Sequence, residues 1–84
     1  MSENLKYRKY KYLVLKQVFK NDDGEKYVTY GLRVMRGDNE IALISDISTN
    51  YEDIRRLAET CTRDGLDPIH INDVVEDFLA RQPT

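Results

Sequence analysis

Two short turn segments divide the first half of the chain into three strand-like stretches. NDDG occupies residues 21–24, and RGDN occupies residues 36–39. Around them, residues 10–19, 25–35 and 40–47 are rich in β-branched and aromatic side chains, a composition that favours strands. Glycine and aspartate in both links are typical of tight hairpin turns. The sequence therefore predicts a three-stranded antiparallel meander.

The register of these strands decides which side chains share a face of the sheet. A two-residue turn at Asp23-Gly24 aligns the apolar residues of the first two strands, and a turn at Gly37-Asp38 or Asp38-Asn39 adds the third strand to the same face. The predicted inward face consists of Leu13, Leu15, Val28, Leu32, Val34, Ile41 and Leu43. Because three separate segments contribute to one apolar face, the pattern indicates a core on that side.

A first helix is predicted directly after the sheet. Thr49, followed three residues later by Glu52, matches a capping box. Apolar residues then recur at helical spacing until Gly65, which is suited to end the helix. The apolar positions are Ile54, Leu57, Ala58 and Cys61.

A second helix is predicted after Asp67-Pro68. Either His70 or Asn72 suits its N-cap, and its apolar positions are Ile71, Val74, Val75, Phe78 and Leu79. The elements together predict an α+β fold, a three-stranded antiparallel β-meander followed by two C-terminal α-helices packed on one face. A chain of 84 residues has room for one domain. We interpret residues 1–84 as that domain, with residues 1–8 as a candidate flexible segment.

The outer face of the sheet is the predicted functional surface. In the same register it is half apolar, aromatic and mildly basic. It stays bare if both helices cover the first face, unless a second copy or the N-terminal segment packs on it. An exposed apolar patch of several hundred Å² usually indicates a binding partner. The candidate interaction surface comprises Tyr10, Tyr12, Val14, Tyr27, Arg33, Met35 and Ile44.

Two functions compete for this surface. The leading hypothesis is non-enzymatic protein interaction, with a second copy in a homodimer or another protein as the partner. Residues 1–36 carry nine basic and four acidic side chains, and residues 37–84 carry four basic and eleven acidic ones, so two copies have opposite charges to pair. The alternative is binding of single-stranded nucleic acid, in which exposed tyrosines stack on bases.

The sequence does not indicate an enzyme or a metal site. Cys61 lies on an apolar helix stripe, which is typical of a buried and inert thiol rather than a nucleophile paired with His70. His70, Asp73 and Asp77 share one side of the second predicted helix, where a solvated acidic face is the simpler interpretation than a zinc site. We therefore expect no catalytic residue, no metal and no cofactor.

The sequence does not indicate a membrane protein either. No apolar run approaches the ~20 residues of a membrane span, and the N-terminus MSENLKYRKY lacks the apolar region of a signal peptide. The expected location is cytoplasmic, and no membrane partner is expected.

Several stretches of the chain resemble a known protein family. They are Tyr30-Gly31-Leu32, Asp46-Ile47-Ser48, Pro68-Ile69-His70-Ile71 with Leu66 before it, and Asp73-Val74-Val75-Glu76-Asp77-Phe78-Leu79. In this pattern, over about residues 10–80, the chain resembles short proteins of Firmicutes-type bacteria that are grouped as a domain of unknown function. The resemblance implies a bacterial cytoplasmic protein and supplies no activity, cofactor or catalytic residue.

Overall fold

The computed structural model describes residues 10–81, which form a sheet followed by helices. The sheet consists of β1 (Tyr10–Lys20), β2 (Lys26–Arg36) and β3 (Asn39–Ser48), and the helices are α1 (Tyr51–Arg63), a short 3₁₀ turn (Pro68–His70) and α2 (Ile71–Ala80). The strands pair antiparallel in the order β1-β2-β3. The predicted α+β meander with two C-terminal helices is confirmed, and the expectation for residues 1–8 lies outside the described residues.

The loop between β1 and β2 has three residues rather than the predicted two. The Asn21 N–H donates to the Glu25 carbonyl at 2.9 Å, and the Gly24 N–H donates to the Asn21 carbonyl at 3.0 Å. The Asn21 side-chain oxygen accepts from the amides of Asp23 and Glu25 at 3.0 and 2.9 Å. Gly24 has the positive φ, +83°, that this loop requires. The extra loop residue shifts β1 by one position and turns its other face toward the helices.

A bulge shifts β3 by one position as well. The turn at Gly37-Asp38 has the predicted two residues. The partner of Val34 is nevertheless Ala42, because a register shift follows the first two pairs of the ladder. Ile41 is the extra residue of this bulge. Leu43, two residues further on, therefore lies on the face opposite to the predicted one.

The two shifts exchange the faces that β1 and β3 present to the helices. On the helix side, Tyr12 pairs with Val34 and Val14 pairs with Leu32. The buried core consists of Tyr12, Leu32, Val34, Ile47, Ile54, Ala58, Cys61, Ile71 and Val75. The inward placement is confirmed for Leu32, Val34, Ile54 and Val75, and Leu57, Val74 and Phe78 pack against the core as partly buried residues. It is wrong for Leu13, Leu15 and Leu43, which lie on the other face, and for Ile41 and Val28, which stay exposed.

Helix α1 begins one residue later than the capping box predicts. Asn50, rather than Thr49, is the N-cap, and its side chain accepts from the Asp53 amide at 3.2 Å. At the other end Gly65 has a φ of +63°. The Leu66 amide then donates back to a carbonyl in the last turn of α1 at 3.0 Å, which confirms the predicted glycine ending.

Helix α2 begins without a side-chain cap of its own. His70 occupies the N-cap position and makes no side-chain hydrogen bond there. The preceding 3₁₀ turn is capped instead, because the Asp67 carboxylate accepts from the Ile69 amide at 3.0 Å. The capped 3₁₀ turn thus sets the direction of the α2 axis where the helix begins.

A second irregularity, around Asp46, brings part of β3 over the face of the sheet opposite the helices. Asp46 has a φ of +54°, a left-handed conformation that aspartate tolerates. Its amide donates to the Gln17 side-chain oxygen at 3.1 Å, and its carboxylate accepts from the Thr29 hydroxyl at 2.7 Å. Thr29 is completely buried. Because a Cβ on Gly31 would overlap the Ile44 carbonyl oxygen, only glycine allows this close approach.

Tyr12 joins the outer edge of β1 to the helical layer. Its side chain is 3% exposed, and its hydroxyl donates to the Leu66 carbonyl at 2.8 Å. Its backbone N–H donates to the Thr62 hydroxyl oxygen at 2.8 Å, and that hydroxyl donates to the Tyr12 carbonyl at 3.2 Å. Burial is the largest cause that raises the pKa of Tyr12 above its ordinary value, and the charges of Cys61 and Asp67 raise it further.

We expect Gly31→Ala to lower the free energy of unfolding by about 3 kcal/mol, because the added methyl group must displace the β3 backbone and its hydrogen bonds. The matched control is Gly24→Ala, which meets no atom within 4 Å and carries only the strain of a positive φ. That strain costs about 1 kcal/mol. Urea denaturation of the two variants measures the difference, and equal losses would contradict the close packing at Gly31.

We expect Tyr12→Phe to lower the free energy of unfolding by about 1–2 kcal/mol at neutral pH, because the Leu66 carbonyl loses its donor. The pKa of Tyr12 is raised in the folded state, so the unfolded chain releases this proton first. Stability of the wild type should therefore fall as the pH rises above about 10. Thermal unfolding between pH 8 and about 11 should show a shallower decline for Tyr12→Phe, and identical slopes would exclude Tyr12 as a source.

Candidate functional site

The structure divides the seven predicted surface residues between two faces of the sheet. Tyr10, Tyr12, Val14 and Ile44 lie on the helix side, in the core or packed against it. Tyr27, Arg33 and Met35 lie on the opposite face, which we call the open face. The prediction that all seven share one exposed surface is therefore wrong, because β1 and β3 are each shifted by one residue from the predicted register.

The open face carries an apolar patch that spans all three strands. Leu13 on β1 and Leu43 on β3 both pair with Arg33 of β2, and their side chains are 38% and 49% exposed. Half-buried side chains extend the patch. We call Leu13, Leu15, Met35 and Leu43 the open-face patch.

Charged side chains border the open-face patch. The Arg33 Nε lies 3.1 Å from the Glu40 Oε1, and both side chains are nearly half exposed. Lys11 is exposed and pairs in register with Met35. A surface ion pair of this kind contributes little to stability.

The aromatic side chains of the described residues do not form a stacking surface on the open face. Tyr12 is buried on the helix side. Phe19 and Tyr27 lie together near the end of the β1–β2 hairpin, with ring centroids 5.7 Å apart. Tyr30 and Tyr51 meet edge to face on the helix side at 5.5 Å. Each of the four paired rings already has an aromatic neighbour, so residues 10–81 do not present a row of free tyrosines on the open face.

A groove of about 400 Å³ runs between β1 and α1. It is lined by Lys11, Tyr12, Leu13 and Val14 of β1 and by Arg55, Ala58, Glu59, Thr62 and Arg63 of α1. Arg55 is fixed at its rim by ion pairs with Glu52 at 2.8 Å and Glu59 at 2.7 Å. Hydrogen bonding to Glu52 raises the pKa of Arg55, and the same bond lowers the pKa of Glu52. The groove thus has a small, apolar floor at Ala58 and a charged rim.

The side chains considered for catalysis lie apart from these surfaces. Cys61 is buried in the core, and burial is the main cause that raises the pKa of its thiol. A thiol with a raised pKa is a poor nucleophile at neutral pH. His70 is exposed at the start of α2. Cys61 therefore has the character of a packing residue.

Within residues 10–81 no group of three or more His, Cys, Asp or Glu side chains is arranged to hold a metal ion. In the same range, no helix has the length and apolar character that crossing a membrane requires.

Sequence reasoning missed the open-face patch because it misjudged the β1–β2 loop and did not foresee the bulge in β3. Leu13 and Leu43 were predicted to be core residues, and both are among the exposed large apolar side chains of the structure. The available signal was Asn21 ahead of Asp-Asp-Gly. An asparagine at that position can accept from two loop amides and so favours the three-residue loop.

Comparison with known protein families gives a match over most of the chain. The sequence model of a family of unknown function, DUF6514, matches residues 1–81. No match is found among curated proteins or among solved structures. Because the match spans nearly the whole chain, the protein belongs to the family of unknown function DUF6514.

Proposed function

We propose that this protein is a small, non-enzymatic interaction module that associates with a second copy through the open-face patch. The observation that carries the proposal is the exposure of Leu13 and Leu43 on a sheet whose other face is covered by helices. Side chains that would be buried in a two-sided sheet are in contact with water here. An exposed apolar patch of this kind is typical of an interface.

A second copy fits this surface because it brings the same patch. In a two-fold dimer each copy covers the apolar side chains of the other at the same time. Two sheets packed face to face lie about 10 Å apart with interdigitating side chains. The dimer would then have four layers, with helices outside and two sheets inside, and neither sheet would keep a bare apolar face.

The charges bordering the patch support the same partner. Arg33 and Glu40 lie side by side at the patch, so a two-fold axis near them brings Arg33 of one copy toward Glu40 of the other. The association would exchange ion pairs rather than bury an unpaired charge, which is costly. The opposite net charges of the two halves of the chain add a weaker attraction between copies.

Binding of single-stranded nucleic acid is less well supported than the sequence suggested. Such binding requires aromatic rings whose faces are free to stack on bases. Tyr12 is buried, and Tyr27 packs against Phe19. Nucleic-acid binding is therefore the alternative outcome of the self-association experiment.

We expect Leu43→Asp to convert a wild-type dimer into a monomer, because a buried unpaired carboxylate is costly in an apolar contact. Leu43 is about half exposed in the single chain, so its own fold should tolerate the change. The matched control is Ile69→Asp, at a side chain that is 79% exposed on the 3₁₀ turn. Sedimentation equilibrium measures the mass of each variant, and circular dichroism confirms that each stays folded.

A wild-type chain that stays monomeric up to about 100 µM would overturn self-association as the function. The same samples are then titrated with labelled single-stranded RNA and DNA at two salt concentrations. Binding that weakens with salt, at a log–log slope near −0.7 for each phosphate contacted, would identify the nucleic-acid alternative.

A further inference from the structure

We propose that the outer edge of β1, together with the groove beside α1, binds an extended peptide segment of another protein as an added strand. The segment would carry an apolar side chain that enters the groove and, two residues along, an acidic side chain beside Lys16. This proposal goes beyond self-association through the open face and does not depend on it.

The Thr62 hydroxyl shows which backbone groups of β1 point outward. It binds both the N–H and the carbonyl of Tyr12, at 2.8 and 3.2 Å, on the edge of β1 that has no neighbouring strand among residues 10–81. Residues of an antiparallel edge strand alternate between inward and outward backbone groups. The N–H and carbonyl groups of Val14, Lys16 and Val18 therefore point to the same outer edge.

Thr62 also limits where a strand can be added. It occupies the hydrogen-bonding groups of Tyr12, as a paired strand would, so the part of the edge that no other described residue pairs with begins at Val14. An edge with unpaired N–H and carbonyl groups is a template for another strand. Strand addition is an established mode of peptide recognition, in which backbone hydrogen bonds supply affinity and alternate side chains supply specificity.

The groove explains why one side chain of the added strand should be apolar. Its floor lies between Val14 of β1 and Ala58 of α1, and the methyl side chain of Ala58 leaves space there. A side chain next to Val14 on the helix side would enter that space. Arg55, held by Glu52 and Glu59, borders the groove without an unpaired charge.

Lys16 explains why the following side chain on the same side should be acidic. Lys16 is exposed, lies two residues after Val14, and has no ion-pair partner within residues 10–81. Lys11, at the other end of the groove, is likewise exposed and without an ion pair in that range. Opposite charges on neighbouring strands stabilise the pairing, whereas like charges oppose it.

The test uses the Leu43→Asp variant, so that binding is measured independently of self-association. The probe is a fluorescein-labelled, end-blocked peptide, Thr-Ile-Thr-Glu-Thr-Val-Thr, which places isoleucine, glutamate and valine on one side of a strand. One control peptide has lysine in place of glutamate. The other carries N-methyl groups on the amides of isoleucine, glutamate and valine. Fluorescence anisotropy gives the affinities, and amide NMR spectra report on Val14 and Lys16.

We expect saturable binding of the glutamate peptide, about three- to tenfold weaker binding of the lysine peptide, and loss of binding on N-methylation. Lys16→Glu should reverse the preference between the first two peptides, and the matched charge change Lys26→Glu should leave it unaltered. The amide signals of Val14 and Lys16 should shift on binding.

Three results would overturn the proposal. They are no saturable binding up to about 1 mM, equal affinity for the glutamate and lysine peptides, and binding that survives N-methylation. If the peptide instead dissociates a wild-type dimer, the edge is the contact between copies, and the proposal fails together with the open-face dimer. If wild type is monomeric but binds the peptide, only the proposed self-association fails.

Discussion

The hydrogen bonds of the Asn21 side chain set the register of β1 against β2, the central strand. By accepting from the Asp23 and Glu25 amides, this one oxygen stabilises a three-residue loop where a two-residue loop is also possible in the sequence. Since side chains alternate along a strand, one loop residue decides which half of β1 meets the helices. With this loop, Tyr12 enters the core and Leu13 faces outward. The attachment of β1 to Thr62 and Leu66 follows from that choice.

The sequence predicted the elements well and their pairing poorly, for a physical reason. Strands, helices and the glycine ending of α1 depend on local patterns a few residues long, such as the helical spacing from Ile54 to Cys61. Register depends on a small difference in free energy between two loops. In both registers β1 presents apolar side chains to the core, since Leu13 and Leu15 alternate with Tyr12 and Val14. The apolar pattern alone therefore could not distinguish them.

The same ambiguity of strand register affected the predicted interaction surface. Arg33 and Met35 were placed on the correct face because β2, the central strand, kept its predicted inward residues. On β1 and β3, the residues predicted to face outward lie on the helix side, and their neighbours in the sequence face outward. The second irregularity of β3 could not be predicted from local sequence patterns. It depends on contacts of Gln17, Gly31 and Asp46, which lie on three different strands. Gly31 and Asp46 lie in two of the stretches by which the chain resembles its family. Here Gly31 allows the β3 backbone to approach β2 closely, and Asp46 adopts the left-handed conformation of the irregularity.

The two edges of the sheet have different capacities to gain a neighbour. The edge of β1 is occupied by Thr62 at Tyr12 and continues beyond it as a regular strand. The edge of β3 is interrupted by the bulge at Ile41 and by the left-handed turn at Asp46. Growth of a fibril by edge-to-edge stacking requires that each added chain offer a second regular edge to the next one. A sheet with one regular edge ends the series after a single addition, so this fold resists open-ended polymerisation even though its apolar side chains are exposed.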